Sequence, residues 1–341
     1  MMNRNSNRLL LIILIIFINT ALSMAQNKPQ WVVYQGNEGP GKGKHIVFIS
    51  GDEEYRSEEG LPMLAKILAE RHGFKCTVLF AVDPKTNNID PDYQTNIPGI
   101  EQLQTADLMV LLLRFRELPD GQMKYFDEYT RAGKPVVALR TSTHSFNYTR
   151  NIQSPYAKYG YTSKIKGWEG GYGKKVLGET WINHHGVHAK EGTRALINGL
   201  MKDHPILRGI KDIWTPTDVY GIRGLTNDAE VLIFGQTSMG MTPSSPLSYA
   251  KSVMPVAWIK IHTSESGKKA KIFTTTMGAS IDLVSEDLRR LIVNACYWAA
   301  GMDQQIPEQN NVQFVGEYNP TMFGFGKYQR GLNPSTFEWK K

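Results

Sequence analysis

The chain has 341 residues, of which 41% are hydrophobic, 21% charged and 10% aromatic, and its formal net charge is +7. That composition excludes a disordered, collagen-like or coiled-coil polypeptide and suits one large α/β domain or two ordinary ones. The positive excess is small and interspersed with acidic residues, so the basic stripe that a nucleic-acid backbone requires is missing and no nucleic-acid partner is expected.

Residues 1–25 read as a signal peptide. Arg4 and Arg8 supply the positive start, residues 9–18 the apolar run, and Ser23-Met24-Ala25 the small-x-small pattern cleaved before Gln26. The run is shorter than the roughly 20 residues that span a bilayer, and no second one follows. The mature protein is therefore expected to be exported, periplasmic or secreted, without a membrane span, and with its charge reduced to +5 by the loss of Arg4 and Arg8. Residues 26–44 read as an N-terminal arm ending in Gly-Pro-Gly-Lys-Gly, whose glycines precede the first strand and so cannot form a dinucleotide loop.

The run 45–50 is a short buried strand of the parallel kind. A helix follows, with Ser57 as cap, Glu58 and Glu59 in its first turn, Leu61, Leu64, Ala65 and Leu68 on one face, and Gly73 as stop. Strands are predicted over 76–80, 107–114 and 135–140, with a helix over 119–132 between the last two. Beyond these, 218–221, 229–234, 255–261 and 271–276 read as strands, with a hairpin around Gly267, and Ser285 caps a closing helix that ends at Gly301. Strand-helix alternation of this kind predicts an α/β fold: a flavodoxin-like, doubly wound, mostly parallel sheet with helices on both faces. Residues 45–302 form one domain, and 303–341 a C-terminal tail packed on it. Cys76 and Cys296 each sit inside an apolar element, so a disulfide and two buried thiols are both open.

In open α/β sheets ligands sit beyond the carboxyl ends of the strands. Those positions hold Gly51-Asp52-Glu53-Glu54-Tyr55-Arg56, then Arg114-Phe115-Arg116-Glu117, then Arg140-Thr141-Ser142-Thr143-His144. Capping of the next helix and local ion pairs account for one or two of these charges. The remainder point to a pocket.

These same residues carry a resemblance. HIVFISGDEEYR at 45–56, PVVALRTSTHSF at 135–146, HPILRGIKDIWTPTDVYG at 204–221, Pro255 to Trp258 and the stretch from Ile272 to Gly301 resemble the ThuA-like, or trehalose-utilisation, proteins of the class I glutamine amidotransferase-like superfamily. The resemblance implies that fold, a link to sugar metabolism and frequent export. Amidotransferase chemistry is not implied, because it needs a nucleophilic Cys on the elbow after the fourth strand with a His as its base. Here Arg140 stands at the elbow, neither cysteine is near it, and Gly278-Ala279-Ser280 replaces the late His turn. Ser142 is a poor substitute nucleophile, since no Gly-x-Ser-x-Gly surrounds it.

The expected function is an exported protein acting on a carbohydrate or sugar derivative, as hydrolase, lyase or isomerase; the alternative is a non-catalytic sugar-binding accessory module. His144 matches the family's Thr-His-x-Phe, with Arg140 one turn away to keep it neutral, and is the expected base or acid with Asp52 or Glu53 as partner. A helix-start histidine bonded to a backbone carbonyl is the competing reading for it. Tyr55, Arg56, Arg114, Arg116, Arg140, Thr143 and Trp181 are the expected substrate contacts. No cofactor is required, although His184, His185 and His188 are candidates for a divalent metal with Asp52, Glu53 or Asp282 as third ligand. Gly186 argues for a loop at these histidines and no Glu stands between His184 and His188, unlike a zinc-protease helix. His45, His72, His204 and His262 lie at element ends and read as structural. Residues 146–181 hold eight aromatics, about twice the chain average, without helical or alternating period. Such rings suit the C–H faces of sugars, and some must also bury the loop itself.

Overall fold

The structure, a computed structural model, describes residues 30–339, so the expected signal peptide lies outside the described residues. Its strands are β1 (Trp31–Gln35), β2 (His45–Gly51), β3 (Lys75–Phe80), β4 (Leu108–Leu113), β5 (Val136–Leu139), β6 (Gly192–Ile197), β7 (Trp214–Thr215), β8 (Ala229–Ser238), β9 (Met254–Thr263) and β10 (Lys269–Thr275). The longer helices are α1 (Ser57–His72), α2 (Asp120–Arg131) and α3 (Glu286–Ala299). All ten strands join one sheet in the order β1-β3-β2-β4-β5-β10-β9-β8-β6-β7.

β2 is buried at every position, as a strand covered on both faces must be. Its alternate residues enter two cores. Ile46 and Phe48 pack with Leu61, Leu64 and Leu68 of α1 and Leu288, Leu291 and Ile292 of α3. Val47 and Ile49 share the other core with Met123 and Phe126 of α2 and with the rings of Phe146, Tyr159 and Tyr172, so part of the aromatic segment is core.

The sheet is mixed rather than mostly parallel. Four pairings, joining β3, β2, β4, β5 and β10, are parallel. The other five are antiparallel: β1 with β3, and the run from β10 through β9, β8 and β6 to β7. Connection length is the reason at the β9–β10 junction, where only residues 264–268 intervene and no crossover helix fits. This is the hairpin expected around Gly267.

Other differences are local. Arg56, with φ 57°, precedes α1 in the left-handed region, and Ser57 does not cap the helix. Its Oγ instead accepts from Asp52 N at 3.0 Å and from Ser50 Oγ at 2.8 Å. The expected strand at 218–221 reduces to a bridge between His184 and Tyr220, which brings two irregular segments together at one edge of the sheet. Part of the expected arm is β1, and in the tail Ile306, Val312, Phe323 and Tyr328 are buried. Cys76 and Cys296 are both buried free thiols.

Candidate functional site

The turns leaving the parallel strands are strained. Arg56 follows the β2 turn at φ 57°, Phe115 follows β4 at 52° and Arg140 follows β5 at 43°. A non-glycine residue there costs roughly 1–2 kcal/mol, and such strain concentrates where side chains must be aimed. Arg140 thus stands on a sharp left-handed turn directly after β5, and no cysteine is near it.

The charges these turns carry are mostly tied to one another. Asp52 is fully buried; its Oδ1 accepts from Glu54 N at 2.7 Å and Tyr55 N at 2.6 Å, and its Oδ2 from the Thr141 hydroxyl. Burial pushes its carboxyl above the usual range against these bonds. Glu53 is also pushed up, by burial and then by Asp52, while it bridges Arg114 and Arg116, the latter at 2.9 Å. Arg116 donates in addition to the carbonyls of Arg114 and Pro91, and Arg56 to those of Glu53 and Gly324.

Arg140 is enclosed. Its Nη1 donates to the carbonyls of Asp218 at 2.8 Å and Thr276 at 2.7 Å, and its Nη2 to Asp218 Oδ1 at 3.0 Å and Tyr55 Oη at 3.2 Å. Its guanidinium lies 4.6 Å from the Tyr55 ring centre and 4.0 Å from that of Tyr220. Asp52 is expected from the sequence as the catalytic partner of His144, and Arg56, Arg116 and Arg140 as substrate contacts. All four are sealed from solvent with intramolecular partners, and their place is in the framework of the site. Ser142 is likewise buried, donating to Leu111 O at 3.0 Å, and is no nucleophile.

The partly exposed chemistry comes from elsewhere. His184 and His188 stand on the irregular stretch before β6, with side chains 35% and 33% exposed. His184 Nδ1 lies 2.7 Å from Asp218 Oδ2, and His188 Nδ1 lies 3.3 Å from Asp218 Oδ1. His188 Nε2 contacts Glu54 Oε1 at 2.9 Å. Flanked by two carboxylates, His188 is raised to about 9, chiefly by its bonds to Asp218 and then Glu54. For Asp218, burial raises the carboxyl, but His184, His188 and Arg140 outweigh it and hold the group well below the usual carboxylate range. His185 is not part of this group; its Nε2 faces Ser252 O at 2.8 Å.

His144 sits beside them with ring centres of Phe115 at 5.1 Å, Trp181 at 5.4 Å, Tyr161 at 6.2 Å and Tyr220 at 6.3 Å. Its Nδ1 is 3.2 Å from Thr143 Oγ1. Burial, then Arg114 and Arg140, keep it well below its ordinary pKa, so the imidazole is neutral; the guanidinium contributes as expected but burial dominates. Arg114 remains accessible beside Phe115, 4.4 Å away, and Phe325 of the tail, 4.9 Å away.

In the sequence Glu54 has a place in the polar turn after β2 but no individual role, and Asp218 and the tail rings Phe323 and Phe325 have none. Asp218 was read as a strand residue, and its one visible signal was its place beside Val219-Tyr220 in the stretch that carries the resemblance. Phe323 lies 5.4 Å from both Tyr55 and His188, a tertiary closure with no local signature.

The family profile described as ThuA, trehalose utilisation, matches residues 45–299. Among solved structures the chain is similar to a ThuA-like protein from Parabacteroides merdae, with 16% identity, a TM-score of 0.48, and coverage of 76% of this chain and 90% of that one. It is similar also to a ThuA-like protein from Bacteroides uniformis (13% identity, TM-score 0.46, 78% and 95%). PurLQS from Thermotoga maritima is a further likeness (12%, 0.37, 75% and 99%). No curated protein sequence matches the chain. On the family match over residues 45–299, the chain belongs to the ThuA family.

Proposed function

We propose that the chain is an exported protein that binds and acts on a sugar or sugar derivative at the carboxyl edge of the parallel strands. The observation that carries this reading is the pairing of open ring faces with hydrogen-bonding groups. Trp181 is half-buried, 5.4 Å from His144 and 5.7 Å from His184, while Arg114 lies against Phe115 and Phe325. Flat apolar rings beside donors and acceptors suit the C–H faces and hydroxyl rims of a sugar. His144, neutral and bordered by Trp181, is the group to accept a hydroxyl proton, with Arg114 beside it for an anionic or oxidised substituent. Cysteine chemistry has no support: burial pushes the thiols of Cys76 and Cys296 up, far from the thiolate a nucleophile requires. The family description, trehalose utilisation, points the same way.

The accessory-module reading is favoured by one observation, the elbow position filled by an arginine whose bonds are all internal. A recess of about 420 Å³ lined by Lys174, Lys175, Asp228, Lys260 and His262 is a less suitable sugar site. Two of its lysines are already paired, Lys174 with Glu179 and Lys260 with Asp228, and no Phe, Tyr or Trp ring lines it. The five parallel strands, ordered second, first, third, fourth and fifth with helices on both faces, support the flavodoxin-like winding.

Calorimetric titration of the mature protein with disaccharides, uronic acids and sugar lactones tests the reading, with product formation followed by NMR. Trp181→Ala weakens binding at least about tenfold, or roughly 1.4 kcal/mol. His144→Gln lowers turnover more than binding; binding without turnover in the wild type selects the accessory module. No sugar bound at millimolar concentration, or equal binding by Trp181→Ala, overturns the proposal. An intact leader on protein recovered from the native host, instead of an N-terminus at Gln26, overturns the export reading.

A further inference from the structure

His184, His188 and Asp218 bring two imidazole nitrogens and a carboxylate oxygen within 4.8 Å of one another. Both Nδ1 atoms face the same carboxylate, one at each oxygen. From this juxtaposition we infer that the three residues form a divalent transition-metal site, His184 and His188 supplying the nitrogens and Asp218 the oxygen. The inference goes beyond the sugar reading and does not need it.

Three features make the set a metal centre rather than a casual contact. The first is the arrangement behind the ligands. His188 presents Nδ1 to Asp218 while its other nitrogen lies 2.9 Å from Glu54 Oε1. A metal-bound imidazole characteristically donates its remote N–H to a carboxylate, which fixes the tautomer and strengthens the ligand. The second is support of the oxygen ligand: Asp218 is fully buried and held by Arg140 Nη2 at 3.0 Å, so it approaches the histidines in one orientation. The third is access. Both histidine side chains are about one-third exposed, which leaves an entry path and room for open coordination positions.

The other carboxylates once open as third ligand are excluded by their bonds. Asp52 is occupied by two backbone N–H groups and Thr141, and Glu53 by Arg114 and Arg116. Asp282 accepts from Gly278 N, Ala279 N and Thr217 Oγ1. His185 faces Ser252 O instead.

Charge and donor type select the cation. Two carboxylates, Asp218 and Glu54, against one guanidinium, Arg140, leave an acidic surround for the two imidazoles, which favours a dication that takes the place of the proton between His188 and Asp218. Arg140 moderates the affinity. Two imidazoles and one carboxylate suit zinc or ferrous iron over calcium or magnesium, which prefer oxygen cages. Three protein ligands also leave positions for water or a substrate hydroxyl, as in catalytic rather than structural centres.

The test uses the full mature chain, stripped with chelator and titrated with Zn²⁺ or Co²⁺ alone, no sugar present. Bound metal is measured by mass spectrometry and by the visible spectrum of Co²⁺. The expected result is about one ion per chain, an affinity at least about 100-fold weaker in His184→Gln/His188→Gln, and about tenfold weaker in Glu54→Gln. His185→Gln binds as the wild type does. A wild-type stoichiometry below about a tenth, or metal retained in full by the double variant, overturns the inference; the stoichiometry alone decides the matter if the double variant does not fold. Because sugar binding is measured separately, failure here leaves the sugar reading standing, and the reverse holds equally.

Discussion

Apart from the neutral His144, the charged pairs at the carboxyl edge of the parallel strands and the histidines at the amino edge bury ionisable groups in opposite ways. At the carboxyl edge, carboxylates and guanidiniums are packed against one another: Arg140 with Asp218, Arg116 with Glu53. At the amino edge, histidines are buried with neutral partners. His45, which opens β2, meets Thr105 Oγ1 at 3.1 Å and Thr77 Oγ1 at 2.9 Å. His72, at the end of α1, meets Tyr297 Oη at 3.0 Å and Asn311 O at 2.8 Å. His262 lies opposite Ala270 near the start of β10. Burial lowers all three histidines to about 4. The contrast shows that burial alone does not mark a site: with neutral partners it suppresses charge, and with opposite charges it builds a rigid polar frame whose unused atoms can serve a ligand.

Breaking the charged frame carries the largest expected effect. Arg140→Ala leaves the buried Asp218 without its guanidinium partner, and removal of one partner of such a pair costs about 3–5 kcal/mol. Alanine keeps the Cβ that makes the left-handed φ of Arg140 costly, so that strain persists and recovers none of the loss. At about 2–4 °C per kcal/mol the melting temperature falls by about 10 °C. Differential scanning calorimetry at pH 7 makes the measurement; a fall under 3 °C would show that the frame does not depend on this pair.

Much of the parallel half was legible from the residues because its signals are local. Apolar runs such as 45–50 and helix stops such as Gly73 report their own structure, and the polar turns point to the carboxyl edge. The role of each polar residue was not legible, since the expected substrate contacts Arg56, Arg116 and Arg140 are consumed by partners far away in sequence. Arg140 reaches Asp218 and Thr276, and Arg56 reaches Gly324. The pairing of Asp218 with His184 and His188 depends on an isolated bridge between irregular segments, which no periodicity announces. The mixed sheet had a visible cue in the short β9–β10 connection, whereas the edge strand β1 lay in a stretch dominated by its glycines.

Acid probes the amino edge next. Because the folded-state pKa of His72 is lowered to about 4, below the ordinary value near 6.5, the unfolded chain takes up the proton first as pH falls. Stability is therefore full above about pH 6.5 and is lost progressively between there and pH 4. At pH 5 His72 alone accounts for about 2 kcal/mol, or about 4–8 °C. His45 and His262 act in the same direction with greater solvent screening. His72→Gln is less stable at pH 7, through its lost bonds, but flatter with pH; profiles that run parallel for the two proteins would remove His72 from this account.

The smallest effect belongs to an ion pair outside both buried sets. Glu265, in the β9–β10 turn, accepts from Lys158 Nζ at 3.1 Å and Trp168 Nε1 at 3.0 Å, tying the aromatic segment to the hairpin. Its side chain is 42% exposed, against 0% for both partners of the Arg140–Asp218 pair. Water and salt screen such a contact, so Glu265→Ala costs about 1 kcal/mol or less. The segment stays in place because Tyr159, Trp168 and Tyr172 are buried in the core beneath it. The comparison sharpens with ionic strength. In 1 M salt the Debye length shrinks to about 3 Å, and the Glu265→Ala difference vanishes while that of Arg140→Ala persists. A Glu265→Ala loss above about 6 °C, or one indifferent to salt, would mean that this surface contact, rather than ring burial, holds the segment that carries Trp181.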